Sequence, residues 1–350
     1  MKTTLIKNAW YVVAFADEVG HRVPLGRTVV GEPLVMYRLQ DGSVTALEDR
    51  CPHRRMPLSA GRITPDDKLV CGYHGLTFDC SGRCVLVPGQ SNTAGLKIRR
   101  FPTVERSGLI WAWMGSADRA DVNAIPDTGW LERPGWHSTR LYRQPKANYL
   151  LLHDNLADLL HVAYLHIPSG GGNEQMGPAQ LEFKPMPSGY ELTRVTHDIP
   201  SPPSYGRLAN PKGNVDRWHI AEFRAPGFHR IDTGVAEAGT GMANSPLPVG
   251  AGRWSIVPHH FVTPESERST HYFQVVAHEW TESSDSWRFL NSVIDEDVWA
   301  IEKQQRNIDL APDAPTFPIA SDGAMLFLRR TIDRMLAEQE QEQVAAGGQA

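Results

Sequence analysis

The stretch CPHRRMPLSAGRITPDDKLVCGYHGLTFD, residues 51–79, decides the fold of the first part of the chain. It contains two short arms of the same kind, one running from Cys51 to His53 and one from Cys71 to His74, with 17 residues between them. Each arm offers one thiol and one imidazole close together in the sequence. Two such arms can be brought together if each lies at the tip of a loop.

This donor set fits a Rieske [2Fe–2S] centre, in which one iron takes two thiolates and the other takes two neutral imidazoles. Glycines beside the second arm let the backbone approach the inorganic sulfurs closely. A zinc site is the alternative, because two Cys and two His are also tetrahedral zinc ligands, but zinc motifs usually pair Cys with Cys and His with His. Cys80 and Cys84 fit no ferredoxin spacing and are expected to be ordinary hairpin residues. We therefore predict the cluster ligands Cys51, His53, Cys71 and His74.

Short β segments surround these arms up to about residue 118, with turn pairs such as Asp41-Gly42 and Ser81-Gly82 between them. An aperiodic stretch, Gly115 to Pro134, is the candidate linker. We predict an all-β domain over residues 1–125, an α+β domain over residues 126–342 and a disordered tail over residues 343–350. In the second domain, helices are predicted from Asn148 to His166, from Ser284 to Leu310 and from Ser321 to about Glu340.

Composition limits the classes of function. The 350 residues are 41% hydrophobic and 21% charged, which is typical of a soluble two-domain protein. A net charge of −5 without a basic run argues against nucleic acid and anionic membranes as partners. No export signal or stretch of about 20 apolar residues is present, so we expect a cytoplasmic location. Four cysteines within residues 51–84 indicate metal binding and not a disulfide framework.

A second group of candidate ligands lies in the α+β domain. The segment HDNLADLLHVAYLH, residues 153–166, carries His153, Asp154, Asp158, His161 and His166. His161 and His166 lie about 140° apart on a regular helix, so they can converge only if the helix ends or bulges between them. Two His and one carboxylate on one face of an Fe(II) ion form the site that non-haem oxygenases use.

The carboxylate is predicted from a helical pattern. An apolar stripe, formed by Leu290, Val293, Ile294, Val298 and Ile301, includes Asp297, whereas Asp295 and Glu296 lie off its centre. A carboxylate that faces a core is costly unless it is paired or bound to a metal. Asp297 is therefore the predicted third ligand, with a buried salt bridge or a helix cap as the alternative.

The chain resembles the Rieske non-haem iron oxygenases, and within them the vanillate and dicamba O-demethylase oxygenase subunits. The resemblance covers nearly the whole chain and rests on motifs such as NAWYVVA, CPHRRMPLS, CGYHGLTFD, HDNLADLLHVAYLH, VDRWHIAEFRAP, TPESERSTHYF and EDVWAIEKQQRNI. It implies a Rieske domain followed by an antiparallel sheet flanked by helices. It also implies one Rieske cluster held by the four residues named above and one mononuclear Fe(II) held by His161, His166 and Asp297.

The resemblance implies further roles. Asp158 is expected to join a cluster histidine of one subunit to an iron histidine of the next in a ring-shaped homotrimer, and Asn155 to lie beside the iron. Electrons are expected from NAD(P)H through a separate reductase with flavin and its own iron–sulfur cluster, since no G-x-G-x-x-G follows a strand here. The glycines at 170–172 lack the features of a phosphate loop and are expected to form a mobile lid or a plain linker.

The substrate is expected to be a small aromatic compound, such as a methoxybenzoate, that undergoes O₂-dependent O-demethylation. His260 aligns with a histidine that helps to hold the substrate carboxylate in the dicamba enzyme, whereas Ile231 replaces an asparagine that contacts the same group there. Both are candidate substrate residues. Because of the departure at Ile231, neither vanillate nor dicamba is assigned as the substrate. N-dealkylation or ring hydroxylation with the same metals is one alternative. A Rieske electron carrier without oxygenase activity is another.

Overall fold

The computed structural model describes residues 5–176, 180–242, 245–279 and 284–347. The chain divides into two compact units. The first comprises Met1–Ile125 together with Thr263–Ser266, and the second comprises Pro126–Val262 together with Glu267–Ala350.

The first unit is built from short antiparallel strands in three sheets, with orders β1-β11-β10, β2-β3-β4-β9 and β5-β6-β7-β8. The strands are β1 (Trp10–Phe15), β2 (Leu25–Val29), β3 (Glu32–Arg38), β4 (Val44–Glu48), β5 (Arg62–Ile63), β6 (Leu69–Val70), β7 (Thr77–Phe78), β8 (Cys84–Leu86), β9 (Arg100–Phe101), β10 (Thr103–Arg106) and β11 (Leu109–Trp113). The all-β character expected of this part of the chain is therefore confirmed.

The turns of this unit lie where the sequence places them. Gly42 and Gly82 have φ angles of +86° and +87°, a backbone conformation that glycine adopts without a steric penalty. Asp41 stabilises the first of these turns by accepting a hydrogen bond of 2.9 Å from the Ser43 N–H. Cys80 and Cys84 are free thiols on the hairpin between β7 and β8, as expected.

The second unit contains one seven-stranded antiparallel sheet with the order β12-β18-β17-β16-β15-β14-β13. Its strands are β12 (His137–Arg143), β13 (Leu181–Met186), β14 (Gly189–Ile199), β15 (Val215–Arg224), β16 (Phe228–Glu237), β17 (Arg253–Ser266) and β18 (Ser269–His278). β17 and β18 are buried along almost their whole length.

Five helices accompany the sheet in the described part of the chain: α1 (Tyr149–Ala157), α2 (His161–Tyr164), α3 (Pro203–Ala209), α4 (Ser284–Leu310) and α5 (Gly323–Gly347). α4 has the predicted bounds. The single helix expected from Asn148 to His166 is instead broken after Ala157, because Asp158 has an extended backbone with φ −96° and ψ 102°. α5 continues to Gly347, so most of the tail expected to be disordered is helical, and residues 348–350 lie outside the described residues. No described helix has the length and apolar character that crossing a membrane requires.

α1 packs against both long helices of this unit. Asp154 on α1 forms a bidentate ion pair with Arg329 on α5, with 2.8 Å between Arg329 Nε and Asp154 Oδ1. On the α4 side, buried positions recur at Leu290, Ile294 and Asp297, which is the period of a helix with one face turned inward.

Candidate metal centres and substrate cavity

The two Cys–His arms have the same backbone geometry. In the first, the Cys51 N–H donates to the Met56 carbonyl at 2.9 Å, and Arg55 N–H donates back to the Cys51 carbonyl at 2.8 Å. In the second, the Cys71 N–H donates to the Leu76 carbonyl at 2.8 Å, and Gly75 N–H donates to the Cys71 carbonyl at 3.1 Å. Arg55 and Gly75 both have positive φ, at 59° and 74°. The two loops are therefore equivalent turns that face each other.

The donors of these loops form two pairs. Cys51 and Cys71 are buried, and the Cys51 thiol lies against that of Cys71, so that burial and this neighbour raise the pKa of Cys51. The rings of His53 and His74 are exposed, with 4.6 Å between their centroids. One thiol pair and one imidazole pair match the donor set of a binuclear Rieske cluster.

Three predicted iron ligands converge in the second unit. His161 Nε2 lies 3.3 Å from His166 Nε2, and each of these nitrogens lies 3.4 Å from Asp297 Oδ1. Ligand atoms about 2.1 Å from a metal ion lie about 3.0–3.4 Å apart at octahedral or tetrahedral angles. The spacing of the three atoms therefore suits one first-row metal ion. Among the described residues, His161, His166 and Asp297 form the group of His, Cys, Asp or Glu side chains whose ligand atoms lie close enough together to hold a metal ion.

Hydrogen bonds behind the two rings orient them toward this point. His161 Nδ1 faces the backbone carbonyl of Asp158, and His166 Nδ1 lies 2.7 Å from Glu296 Oε2. Because both partners are acceptors, each Nδ1 carries the proton and each Nε2 presents a lone pair. With the Asp297 carboxylate, three acceptors face one another. A cation fits such a set.

The electrostatics of the three residues agree with this reading. Burial opposes ionisation of Asp297, but the neighbouring His161 and His166 rings and the hydrogen bond from the Asn155 amide lower the pKa of this carboxyl. Burial likewise disfavours protonated His161, while the Asp297 carboxylate raises the pKa of that ring. A proton and a metal ion thus compete for the same atoms, as expected for a metal site.

The other candidates from this segment have distinct positions. Asn155 donates a hydrogen bond of 2.9 Å from Nδ2 to Asp297 Oδ1, so it lies beside the triad as predicted. Asp158 accepts the Leu160 N–H at 2.7 Å through Oδ1. It lies at the C-terminal end of α1, whereas His161 begins α2, so the two residues belong to different helices. Asp154, the alternative carboxylate ligand, is occupied by Arg329.

A cavity of about 100 Å³ adjoins the triad. Helical segments supply one wall, which includes Asn155, Leu156 and Asp297, and strands β15 to β18 supply the other, which includes Ile231 and His260. Both predicted substrate residues therefore line the cavity that the triad adjoins. The mostly apolar lining with few polar groups is typical of a small-molecule site.

His260 is a neutral hydrogen-bonding group in this cavity. Burial lowers its pKa to about 3. Its Nδ1 lies 2.6 Å from the Tyr272 hydroxyl, while its buried Nε2 has no partner among the residues that the structure describes. Ile231 adds only apolar surface to the same wall.

Two features were not predicted from the sequence. Glu296 orients His166 although it lies off the apolar stripe of α4, and the only signal for it was its position next to Asp297. The glycines at 170–172 are buried, and the N–H groups of Gly171 and Gly172 donate to the His166 carbonyl at 2.9 and 2.8 Å. They hold the ligand loop in place, which the expected lid or plain linker would not do.

Comparisons with known proteins agree with both centres. A family model described as the Rieske [2Fe-2S] domain matches residues 9–102, and one described as the vanillate O-demethylase oxygenase C-terminal domain matches residues 146–338. The chain is 36% identical to the vanillate O-demethylase oxygenase subunit of Pseudomonas sp. (strain HR199 / DSM 7063), covering 97% of each chain. It is 34% identical to the toluene-4-sulfonate monooxygenase system iron-sulfur subunit TsaM1 of Comamonas testosteroni, covering 95% of this chain and 97% of that protein.

Solved structures of dicamba monooxygenase share the whole fold. The structure bound to 3,6 dichlorosalicylic acid has a TM-score of 0.84 at 31% identity and covers 95% of this chain and 98% of that one. The structure with non-haem iron and dicamba has a TM-score of 0.77 at 31% identity and covers 97% and 99%.

Proposed function

Since the chain belongs to the Rieske non-haem iron oxygenases, as the terminal oxygenase component of a multicomponent monooxygenase, we propose that it demethylates a small methoxylated aromatic acid. The overall reaction converts an aryl methyl ether, O₂, NAD(P)H and a proton into the phenol, formaldehyde, water and NAD(P)⁺. The observation that carries this proposal is the convergence of His161, His166 and Asp297 beside a mostly apolar cavity of about 100 Å³.

The chain's residues have separate roles in this proposal. The cluster is held by Cys51, His53, Cys71 and His74, and the iron is held by the triad. When bound, the iron supplies the chemistry that activates O₂. Leu156, Ile231 and Phe289 line the cavity and exclude water from the ring of the substrate. The amide of Asn155 donates to the Asp297 carboxylate and so fixes it, and the buried Asn155 Oδ1 has no partner among the described residues.

We assign residues 1–125 to the Rieske domain and residues 126–342 to the catalytic domain. The electron donor is a separate reductase with flavin and an iron–sulfur cluster, fed by NAD(P)H, which places the enzyme in the cytoplasm. The assembly is a homotrimer in which Asp158 connects two subunits. In support, no described side chain donates to Asp158 Oδ2, so this oxygen remains available to a neighbour.

The test is a panel of methoxybenzoates and N-alkyl anilides assayed with such a reductase, with formaldehyde release and product mass as the readouts. Formaldehyde and a phenol from a methoxybenzoate support the proposal. Turnover of the anilides alone would favour N-dealkylation, and a ring-hydroxylated product would favour a ring hydroxylase. Iron analysis addresses the electron-carrier alternative, since a carrier holds about two irons per chain and an oxygenase about three.

A further inference from the structure

Two buried guanidinium groups lie at one end of the strand wall of the substrate cavity, one in its lining and one behind it. Arg217 on β15 and Arg194 on β14 are each 2% exposed. They flank His219, whose two ring nitrogens lie 3.3 Å from Arg217 Nη2 and 3.3 Å from Arg194 Nη2. Arg217 also stacks on Tyr205, with 4.3 Å from its guanidinium carbon to the ring centroid.

The two cations differ in their acidic neighbours: the Asp158 carboxylate acts on Arg194 and favours its charged form, whereas no acid among the described residues does so for Arg217. Among the side chains that the structure describes, no Asp or Glu forms an ion pair with Arg217 or Arg194. Burial, followed by the charge of Arg217, lowers the pKa of Arg194 to about 9, and burial also lowers the pKa of Arg217. A guanidinium group nevertheless stays protonated at neutral pH. An unpaired buried charge carries a large desolvation cost, which a bound anion would relieve.

The cluster also has more hydrogen-bond donors than acceptors. Burial, Arg194 and Arg217 hold the pKa of His219 well below its usual value, so the ring is neutral and has one acceptor nitrogen for two guanidinium neighbours. Arg217 Nη1 donates to the Gly171 carbonyl at 2.7 Å and the guanidinium also interacts with the Tyr205 hydroxyl, but its buried Nε has no partner among the described residues. An acceptor is therefore missing beside Arg217.

Arg217 and His219 line the cavity, whereas Arg194 lies behind them. We propose that Arg217, with His219 beside it, binds the anionic group of the substrate, a carboxylate or a sulfonate. A guanidinium presents its N–H groups as a planar fork that matches either anion with two charge-assisted hydrogen bonds. Arg194 is a positioning residue that keeps His219 neutral and in place.

This assignment places the anionic group of the substrate at Arg217 and not at His260, the residue that the sequence predicts to hold it. His260 is neutral, and its free Nε2 is suited to a hydroxyl or ether oxygen, not to a full charge. The strand register indicates that His219 and His260 lie at separate ends of the strand wall of the cavity. His260 pairs with His229 on β16, whereas His219 pairs with Thr233 on the same strand. Residues 229 and 233 lie about 13 Å apart along an extended strand.

The inference rests on the proposed function, because it names the class of substrate that the same site accepts. It explains how the chain can bind an aromatic acid although Ile231 offers no hydrogen bond. It also predicts that neutral analogues of the same shape bind poorly.

Calorimetric titration of the metal-loaded protein under nitrogen, without reductase, measures binding separately from turnover. The ligands are 4-methoxybenzoate, 4-methoxybenzenesulfonate and neutral 4-methoxybenzamide. We expect one of the two anions to bind at least about tenfold more tightly than the amide, and the preferred anion to identify which acid the site takes. In Arg217→Met we expect this preference to be lost while amide binding stays within about threefold.

Matched variants separate charge recognition from structure. Arg217→Lys keeps the charge and should retain part of the preference, and Arg253→Met, a buried arginine paired with Glu279 at 2.9 Å outside the cavity lining, should leave the preference unchanged. If Arg217→Met does not fold, Arg217→Lys decides, since a preference identical to that of the wild type would contradict a bidentate contact.

Three results would overturn the inference. They are a wild type that binds amide and acids equally, an Arg217→Met variant that weakens all three ligands alike, and a preference that is lost in His260→Gln but kept in Arg217→Met. Formaldehyde release by the wild type tests the proposed function independently. A protein that prefers acids through Arg217 but releases no formaldehyde refutes only the proposed function, and the reverse pattern refutes only the anion site.

Discussion

At the level of single residues, two hydrogen-bond acceptors that do not themselves bind the metal orient the two histidines of the triad. The backbone carbonyl of Asp158 and the side chain of Glu296 each accept a hydrogen bond from the Nδ1–H of one histidine and so direct both Nε2 lone pairs to the same point as Asp297. The protein thereby fixes the tautomer and the direction of each ring before any metal binds.

Asp297→Ala should remove the mononuclear iron and abolish turnover while leaving the Rieske absorption intact, because two imidazoles alone hold Fe(II) poorly. Iron analysis should fall from about three to about two per chain. Asp295→Ala is the control, since this exposed neighbour pairs with Arg143 at 2.7 Å and should not affect iron. An Asp297→Ala protein with full iron content and normal activity would make Asp297 a structural acid.

Glu296→Gln should keep the size of the side chain but weaken its hold on His166, because a neutral amide is a poorer acceptor for the Nδ1–H group. Loss of such a partner typically lowers metal affinity or activity by about 10–100-fold. The measurement is the iron retained during dialysis against a graded chelator, compared with the wild type. Equal retention in both proteins would mean that Glu296 does not support the ligand.

The sequence predicted Asp297 but not Glu296, for a physical reason. A buried acid in an apolar stripe is unusual enough to be recognised from helical periodicity. The contact between Glu296 and His166 joins residues 130 positions apart, and a glutamate beside the apolar stripe of a helix looks ordinary without that partner. Arg217 was missed likewise, since an arginine in a strand is unremarkable until its burial and its missing countercharge are known.

At the level of elements, the break after Ala157 brings the two histidines together. α2 covers only His161–Tyr164, and His166 follows in a turn that the buried glycines close. The sequence indicated that a regular helix could not converge these ligands, and it predicted the bounds of α4 correctly. It did not locate the break, because an aspartate within a helical pattern does not by itself reveal that its carboxylate accepts the Leu160 N–H and its carbonyl faces His161 Nδ1.

Gly172→Ala tests the closing turn. A Cβ atom there would lie 2.7 Å from the Ile167 nitrogen and 2.8 Å from the Val162 carbonyl oxygen, so the backbone that carries His166 would have to move. We expect a loss of about 1–3 kcal/mol in the free energy of unfolding, and a lower ratio of mononuclear iron to cluster. Gly213→Ala is the control, because no atom lies within 4 Å of its added Cβ. Unchanged stability and iron content in Gly172→Ala would show that the loop can adjust freely.

At the level of the whole molecule, the chain has one unit for the cluster and one for the iron, and the proposed function requires an electron to pass between the two kinds of centre. The pairing of β12 with β18, which joins residues more than 120 positions apart, could not be read from local patterns. Local sequence patterns likewise do not predict how the subunits assemble. The trimer is predicted by the resemblance to the family.

Asp158→Asn tests the proposed connection between subunits. The amide oxygen can still accept the Leu160 N–H, so the local turn and both metals should remain, while the lost charge should slow turnover by about 10–100-fold. Stopped-flow measurements should show a cluster that the reductase reduces normally but that O₂ and substrate reoxidise slowly. Sedimentation analysis checks that the trimer persists. Rapid reoxidation with a normal yield of product would exclude the bridging role.

The two walls of the cavity have a consequence for how such an enzyme diversifies. The helical wall carries the metal-binding side chains, whereas the strands carry Arg217, Ile231 and His260. Substitutions on the strands can therefore change which compound is accepted without altering the atoms that hold the metal. Specificity and reactivity are separable here, so a library restricted to the cavity-facing positions of β15–β18 offers a direct route to new substrates.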